Sequence, residues 1–197
     1  NPPINTAESI DLNSPAPSWK LIAPMNSARR HLNATLLPNG KVLVTGGSSG
    51  PGFDNKNTPV FAAEMWDPVT KTWAVMASNA VYRGYHSNSL LLPDARVISS
   101  GSDGGGANLE IYSPPYLFQG PRPTITAAPN AVTYGQSFTL NTPEAASISQ
   151  VTLLRLGSVT HAFDMDQRIL RPAFSQAPGG LNITAPSDPN LCPPGYY

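Results

Sequence analysis

The 197-residue chain carries no formal net charge at pH 7, because 12 basic side chains balance 12 acidic ones. This balance argues against a protein that binds nucleic acid or an anionic membrane, since both partners select a basic excess. No stretch approaches the roughly 18 apolar residues of a membrane-spanning helix. With 22 Pro and 16 Gly, long helices are disfavoured, because Pro costs about 3 kcal/mol inside a helix. We therefore expect an all-β protein with many turns.

A sequence repeat organises the first half of the chain. Residues 28–42 and 83–97 share a His, an Asn, a Leu-Leu-Pro segment and a Val at a constant spacing. The segments that follow correspond as well, with Glu64–Pro68 matching Glu110–Pro114 after a shorter connection. Each copy predicts a strand, a tight turn, a strand that ends in Gly, a variable loop and a strand with an aromatic residue.

The length of the repeat and its Gly pair indicate kelch-type propeller blades, which have repeats of about 50 residues. Residues 1–25 look like the end of a preceding blade, because Trp19 takes the position that Trp73 has in the next copy. The chain then contains two full blades and part of a third. A propeller needs about four to eight blades. We therefore expect either a fragment or a chain that partner chains complete.

The two tight turns of the repeat differ in sequence. Asn39-Gly40 suits a hairpin turn, because both positions tolerate a positive φ. Asp94-Ala95 stands at the same place in the second copy and lacks this tolerance. We therefore expect the second turn to be of another type.

The second half of the chain has a different character. The repeat stops in a proline-rich stretch that predicts a stiff linker. Short candidate strands then alternate with turn residues, as in an immunoglobulin-like sandwich. They lie near residues 137–140, 151–156, 159–164, 169–174 and 181–185. The expected domains are residues 1–118, a set of propeller blades, and residues 119–197, a truncated immunoglobulin-like β-sandwich.

The cysteine and asparagine patterns bear on the compartment. Cys192 is the only cysteine, so the chain has no internal disulfide and no Cys-based zinc site. We interpret Cys192 as a small apolar filler. Glycosylation sequons begin at Asn33 and Asn182, and with the low charge they favour a secreted protein. Chance occurrence of these tripeptides is the alternative.

The candidate metal ligands are histidines. Tyr85-His86 begins an inner strand, where a propeller presents residues to its central channel, and His161 lies in a distant segment. Two imidazoles and a phenolate form a donor set that suits Cu(II). Structural histidines with satisfied hydrogen bonds remain the alternative. His31 corresponds to His86 but follows Arg30, so we interpret it as structural.

Two histidine motifs in this order and at this separation form a specific signal. They are Tyr85-His86-Ser87 followed by Leu90–Asp94, and Thr160-His161 followed by Asp166-Gln167-Arg168. Both resemble motifs of the galactose oxidase and glyoxal oxidase family of copper radical oxidases. The resemblance extends over most of the chain, including Thr58–Phe61, Ser113–Leu117, Arg122-Pro123 and Pro194–Tyr196.

The resemblance implies a seven-bladed kelch propeller followed by an immunoglobulin-like domain, one loop of which reaches through the propeller axis. It implies His86 and His161 as copper ligands. Tyr85 would be both the axial phenol ligand and the catalytic residue that takes up the substrate hydroxyl proton. Phe53 matches an aromatic residue that lines the substrate mouth, and a packing role within its loop is the equal alternative.

The resemblance also implies the reaction. A small alcohol, aldehyde or sugar loses two electrons, and O₂ is reduced to H₂O₂. Copper (Cu²⁺) accepts one electron, and a tyrosyl radical on a Tyr–Cys cofactor accepts the other. The family supplies that tyrosine and cysteine from earlier blades, and neither motif occurs in this chain. We therefore expect no turnover by the chain alone, unless the missing N-terminal blades join it as a separate chain. The competing hypothesis is a non-catalytic kelch/sandwich module that binds carbohydrate or protein.

Overall fold

A computed structural model describes residues 1–103 and 107–197. Apart from two short 3₁₀ turns, the regular structure of these residues is β, in several small sheets whose pairs are antiparallel, and this confirms the expected all-β class. The chain divides into two compact units. They are Asn1–Pro114 with Gly157–Gln167, and Pro115–Leu156 with Arg168–Tyr197. Within the described residues, no helix has the length and hydropathy needed to span a bilayer.

The first unit contains four small antiparallel sheets among its described residues. Their strand orders are β1-β2, β3-β4-β5-β6, β7-β8-β9 and β12-β13. The strands are β1 (Ala7–Ser9), β2 (Lys20–Ile22), β3 (Asn33–Leu36), β4 (Val42–Thr45), β5 (Ala62–Asp67), β6 (Thr72–Ser78), β7 (Ser87–Leu91), β8 (Val97–Gly101), β9 (Leu109–Tyr112), β12 (Val159–Thr160) and β13 (Phe163–Asp164).

The two repeat copies pack against each other through their innermost strands, β3 and β7. Alternate residues of both strands are buried, as the two-residue period of a strand requires. The buried side chains are small and polar, and they pair across the two strands. Asn33 donates to the Ser87 hydroxyl at 2.9 Å, and the hydroxyls of Thr35 and Ser89 lie 2.8 Å apart. These bonds give partners to the Asn33 amide nitrogen and the three hydroxyls, which burial removes from water.

A buried Arg–Glu pair recurs in both copies. Nη2 of Arg29 lies 2.5 Å from Oε1 of Glu64, and Nη2 of Arg83 lies 3.2 Å from Oε2 of Glu110. Each arginine also donates to the carbonyl of the glycine that follows or ends the second strand of its copy, Gly46 and Gly101 respectively. Repeat alignment on the histidines misses this correspondence, because the two arginines are one residue out of register with the histidine spacing.

The first of these pairs is fully removed from water, with no accessible surface on either side chain. Burial lowers the pKa of Arg29, although the charge of Glu64 opposes this shift. Burial alone would raise the pKa of Glu64. Hydrogen bonds from Asn26 and the charge of Arg29 outweigh it and bring this pKa below its usual value.

The two tight turns share one geometry, so the expectation of another turn type in the second copy is wrong. Gly40 donates its N–H to the Leu37 carbonyl, and Ala95 donates equivalently to that of Leu92. The φ angles of Gly40 and Ala95 are 82° and 69°. In both turns the preceding side chain, from Asn39 or Asp94, accepts the backbone N–H two residues on. This bond directs the chain through the same turn and Ala95 adopts a left-handed conformation without glycine.

The second unit contains two small sheets, in the orders β10-β16-β15 and β11-β14. Its strands are β10 (Ser137–Asn141), β11 (Leu153–Leu154), β14 (Ile169–Leu170), β15 (Phe174–Ala177) and β16 (Gly180–Thr184), and its 3₁₀ turns are Pro115–Phe118 and Ala145–Ser147. The core is formed by Ala145, Leu181 and Ile183, against which Phe138, Leu140, Ile148, Val151 and Phe174 pack.

Two expected strands are divided in the structure. The stretch 169–174 contains two strand segments, β14 and the start of β15, and Pro172 lies between them, since proline has no N–H for a sheet ladder. The stretch 159–164 is a hairpin, β12 and β13, and folds with the first unit. Of the two sequon asparagines, Asn33 is buried and hydrogen-bonded, whereas Asn182 is exposed. Cys192 is free and buried.

Candidate functional site

His86 stands immediately before β7 in a left-handed backbone conformation, with φ of 62°. This conformation costs a non-glycine residue about 1 kcal/mol or more. Its repeat counterpart, His31, has φ of 61°. The left-handed residue is therefore a property of the repeat, and it delivers an imidazole at the start of each inner strand.

His161 occupies the turn of the β12–β13 hairpin. Thr160 pairs with Phe163, which leaves His161 and Ala162 as a two-residue loop. Both have positive φ, 51° and 66°. Such turns favour Asn-Gly, because both central residues must adopt left-handed conformations. A His-Ala turn carries backbone strain, and strain of this kind concentrates at functional positions.

Local contacts close the hairpin and set it on the inner strands of the repeat. Asp164 accepts the Ser158 N–H at 2.8 Å. A Cβ on Gly157 would lie 2.5 Å from Oδ2 of Asp164 and 2.9 Å from Cδ2 of Leu90 on β7, so both side chains would have to shift. Gln167 binds the free edge of β3.

The carboxamide of Gln167 bonds to the backbone of β3 as a neighbouring strand would. Its Oε1 accepts the Leu36 N–H at 2.7 Å, and its Nε2 donates to the Ala34 carbonyl at 2.9 Å. β3 is the edge strand of its sheet, and an edge strand has unpaired backbone groups. This clasp fixes the segment that carries His161 against the first repeat copy.

The two imidazoles meet, although they are 75 positions apart in the sequence. Nε2 of His86 lies 3.2 Å from Nε2 of His161, and the two rings are nearly perpendicular at 82°. On the other side of each ring, Nδ1 of His86 lies 2.9 Å from Oδ1 of Asp103, and Nδ1 of His161 lies 2.7 Å from the Thr160 hydroxyl. Both Nδ1 atoms therefore have oxygen partners, while the Nε2 atoms face each other.

Tyr85 completes the group with an aromatic ring. Its centroid lies 3.8 Å from that of His86 and 5.7 Å from that of His161. On its other sides it contacts Phe53 at 4.7 Å and His31 at 5.2 Å. The structure thus brings together the four residues that the sequence nominates, Phe53, Tyr85, His86 and His161, and adds His31.

Asp54 holds the backbone beside Tyr85. Its Oδ1 accepts the Tyr85 N–H at 3.2 Å and a short hydrogen bond from the Tyr82 hydroxyl. Burial, and then the neighbouring Asp54 carboxylate, raise the pKa of the Tyr82 phenol well above its usual value. Tyr82 is therefore a hydrogen-bond donor that holds Asp54 in place. Gly84 has no space for a Cβ between these two side chains.

Phe53 lies in an exposed loop, with 63% of its surface accessible. His31 anchors this loop, because its Nε2 lies 2.7 Å from the Phe53 carbonyl oxygen. Residues 51–57 line a shallow hollow of about 470 Å³. An exposed aromatic ring beside such a hollow is suited to contact a small organic molecule.

The donor chemistry fits a copper ion held by nitrogen ligands. Two nitrogens each about 2.0–2.1 Å from one metal can lie up to about 4 Å apart, and the observed Nε2 separation of 3.2 Å is within that limit. Oxygen partners on both Nδ1 atoms are the usual support of metal-bound imidazoles. Among the described residues, no three His, Cys, Asp or Glu side chains form a metal-binding group. Among these described residues, a third ligand would be of another type, such as the Tyr85 phenol.

Sequence reasoning missed the residues that orient these side chains. Asp103 lies shortly after Gly101, which ends β8. This position is beyond the last aligned residue of the repeat, so no pattern in the sequence marks Asp103 as a site residue. Gln167 and Thr160 lie within the motif around His161, but the motif does not indicate what either side chain contacts. Two positions in the sequence could have pointed to the contact between Asp54 and Tyr82. Asp54 follows Phe53 directly, and Tyr82 lies shortly before the Tyr85-His86 pair.

Comparison with protein families gives matches over nearly the whole chain. The family model described as "Glyoxal oxidase N-terminus" matches residues 2–112, more than half of the chain. The model described as "Galactose oxidase-like, Early set domain" matches residues 122–197.

Individual proteins agree with these family matches. A galactose oxidase of Gibberella zeae is 33% identical over 97% of the chain, which covers 30% of that protein. An aldehyde oxidase, GLOX1 of Arabidopsis thaliana, is 29% identical over 95% of the chain and is covered to 36%. The chain thus spans about a third of the length of these relatives.

A solved structure gives the same result. It is a fungal alcohol oxidase of the AA5 family in complex with copper, and it aligns with a TM-score of 0.89 at 28% identity, covering 98% of this chain and 44% of that one. The motifs around the two histidines and the family matches lead to one conclusion: the chain belongs to the galactose oxidase and glyoxal oxidase family of copper radical oxidases.

Proposed function

We propose that the chain supplies Tyr85, His86 and His161 to the copper site of an oxidase that converts alcohols to aldehydes, or hydrated aldehydes to acids. The observation that carries this proposal is the approach of the two Nε2 atoms to 3.2 Å. A separation of 3.2 Å brings both ring nitrogens within reach of one metal ion, which would use the Nε2 lone pairs of both rings.

The overall reaction balances as RCH₂OH + O₂ → RCHO + H₂O₂. Copper held there, with a tyrosyl radical, would supply the redox chemistry that carries two electrons from the alcohol to O₂. In this proposal Tyr85 receives the substrate hydroxyl proton, as the resemblance of Tyr85-His86 to the family motif implies. Phe53 contacts the carbon part of the substrate from the exposed loop beside Tyr85. His86 and His161 hold the ion, with Asp103 and Thr160 behind them.

The proposal extends to the architecture. Residues 1–118 would be kelch-type propeller blades, of which β3–β6 and β7–β9 are two, and residues 119–197 would be an immunoglobulin-like domain that sends the 157–167 segment to the first unit. The four-strand and three-strand antiparallel meanders support this interpretation. His31 and His86 would then lie where the innermost strands of neighbouring blades begin.

A further part of the proposal concerns the chain alone. The family carries the tyrosine and cysteine of its Tyr–Cys cofactor in earlier blades, and Cys192, the one cysteine of the sequence, does not match that position. We therefore expect the radical cofactor to come from outside this chain. The low charge and the exposed sequon at Asn182 support a secreted protein.

Copper titration with electron paramagnetic resonance tests the site. The 197-residue chain should bind one Cu(II) with a tetragonal signal split by two nitrogens. His86→Ala and His161→Ala should each remove one nitrogen coupling and weaken binding by about 100-fold, which is the upper end of the effects of altered metal-site support. His31→Ala is the matched control, because His31 has the same backbone conformation and lies against the same tyrosine, and it should keep both couplings.

A signal without nitrogen couplings, or equal losses in all three variants, would contradict the proposal. It would leave a binding module as the better interpretation. Turnover is tested separately by peroxide release from galactose, glyoxal and glycerol. The isolated chain loaded with copper should release none, and release would show that the chain needs no external radical cofactor.

A further inference from the structure

The contacts around the two imidazoles form one continuous chain of hydrogen bonds. These hydrogen bonds link Asp103 to His86, His86 to His161, and His161 to Thr160, over distances of 2.9, 3.2 and 2.7 Å respectively. All four residues belong to the first unit. The chemistry of the end groups determines where the protons lie.

Asp103 determines the first step. An ionised carboxylate only accepts hydrogen bonds, and Asp103 is half exposed, with 52% of its side-chain surface accessible. Nδ1 of His86 must therefore carry the proton that this carboxylate accepts. In a neutral ring the other nitrogen is then unprotonated. Nε2 of His86 thus presents a lone pair towards His161.

The second step follows from the first. Because Nε2 of His86 can only accept, Nε2 of His161 must carry the donated proton in the metal-free chain. Nδ1 of His161 is then the acceptor, and the Thr160 hydroxyl donates to it. A hydroxyl can both donate and accept, so Thr160 can serve His161 in either tautomer, whereas the Asp103 carboxylate serves His86 in one.

We propose that Asp103 and Thr160 are positioning residues that give the two imidazoles different tasks. Asp103 holds His86 permanently in the tautomer that exposes the Nε2 lone pair. Thr160, whose hydroxyl both donates and accepts, can serve either tautomer of His161. A metal ion held by both rings would use the two Nε2 lone pairs, with the proton of His161 on Nδ1. This inference rests on the proposed function only for the metal-bound state.

Nuclear magnetic resonance of a ¹⁵N-labelled 197-residue chain reads the two tautomers directly. Long-range ¹H–¹⁵N correlation in the metal-free chain should show His86 protonated at Nδ1 and His161 at Nε2. Addition of Zn(II), a diamagnetic probe, should move the His161 proton to Nδ1 and leave the tautomer of His86 unchanged. A His86 ring protonated at Nε2 in the metal-free chain would overturn the role of Asp103.

Variants separate the two positioning residues. Asp103→Ala should abolish the fixed tautomer of His86 and weaken Cu(II) binding by about 10–100-fold. Asp11→Ala is the control for lost charge, because Asp11 accepts a backbone N–H within its own exposed turn. Thr160→Val should weaken Cu(II) binding by about 10-fold, and Thr160→Ser should restore it.

The two proposals fail in different ways. If Zn(II) shifts neither ring, the joint metal site and the proposed function are wrong, and the metal-free tautomers still decide the role of Asp103. If Zn(II) binds both rings but Asp103→Ala keeps the tautomer and affinity of the natural chain, the inference about Asp103 is wrong and the site stands. If His161 keeps its tautomer when Zn(II) is bound, the role of Thr160 is wrong.

Discussion

The two copies of the repeat share a framework and differ in what that framework presents. In both copies a buried arginine binds a glutamate and a glycine carbonyl. A histidine with a left-handed backbone conformation precedes the inner strand, and the same tight turn follows that strand. None of these shared features needs a bound ligand or a reaction to account for it. They close backbone bonds and satisfy buried polar groups.

The difference lies in one additional residue. In the first copy a single residue, Arg30, separates the buried arginine from His31, whereas Gly84 and Tyr85 separate it from His86 in the second. The phenol next to His86 is therefore carried by a local insertion. The repeat thus places an imidazole before the inner strand in either copy. The inserted residue and the contact with His161 distinguish the copy that has a candidate metal site.

The buried ion pairs offer the largest test of the shared framework. Glu64→Gln should destabilise the chain by about 3–5 kcal/mol, because it leaves the Arg29 charge buried without its counter-ion. Glu110→Gln should cost about 1–2 kcal/mol, since the Glu110 side chain is 26% exposed. Urea unfolding followed by tryptophan fluorescence measures both. Equal losses would show that burial does not distinguish the two pairs.

Acid unfolding tests the contribution of Glu64 and Glu110 to stability. The pKa of Glu64 and the pKa of Glu110 are both below the usual value in the folded chain, although burial opposes the shift, because each accepts backbone and side-chain hydrogen bonds and faces an arginine. Their stabilising contributions are therefore present above the unfolded pKa, about 4.3, and are lost as the pH falls through the folded values.

The measurement is the free energy of unfolding as a function of pH. The natural chain should lose stability steadily below about pH 4.3. Glu64→Gln should show a shallower decline over the same interval, because its residue 64 cannot titrate. An unchanged slope would mean that this carboxylate is not part of the acid sensitivity.

The clasp of Gln167 tests how the His161 hairpin is fixed to the first copy. Gln167→Ala should cost about 1–2 kcal/mol, because it leaves the Leu36 N–H and the Ala34 carbonyl unpaired at the edge of β3. Amide hydrogen exchange at Leu36 should accelerate by about 10-fold. The amide of Leu37, which bonds to Lys41 within the turn, is the internal control and should exchange as before.

A matched variant keeps this test specific. Gln167→Glu retains an oxygen acceptor for the Leu36 N–H but loses the donor to Ala34 and sets a carboxylate oxygen against that carbonyl, so it should restore protection at Leu36 only in part. Full protection in Gln167→Ala would show that other contacts fix the hairpin.

The smallest expected effect concerns the shared turn. Ala95→Gly should stabilise the chain by up to about 1 kcal/mol, because it removes the cost of a left-handed alanine. Gly40→Ala should destabilise it by about 1 kcal/mol for the same reason. Thermal unfolding of the two variants measures the difference. Effects of equal sign would show that the two turns are not equivalent.

Much of the fold could be predicted from local patterns. The repeat, the hairpin at Asn39-Gly40, the all-β class and the juxtaposition of Tyr85 with His86 all follow from spacing and residue type. The turn at Ala95 could not, because alanine gives no local sign of a left-handed conformation. The hairpin at His161 was hidden for the same reason, since His-Ala does not resemble a turn sequence.

Periodicity and side-chain chemistry are local properties, and from them the sequence predicts the class of fold, the repeat and the residue types that suit copper. The meeting of His161 with His86, the contact of Asp103 with His86 and the bonds of Gln167 to β3 are visible only in the folded chain. They join segments far apart in the sequence, and nothing local in the sequence records which backbone edge or carboxylate a side chain will reach.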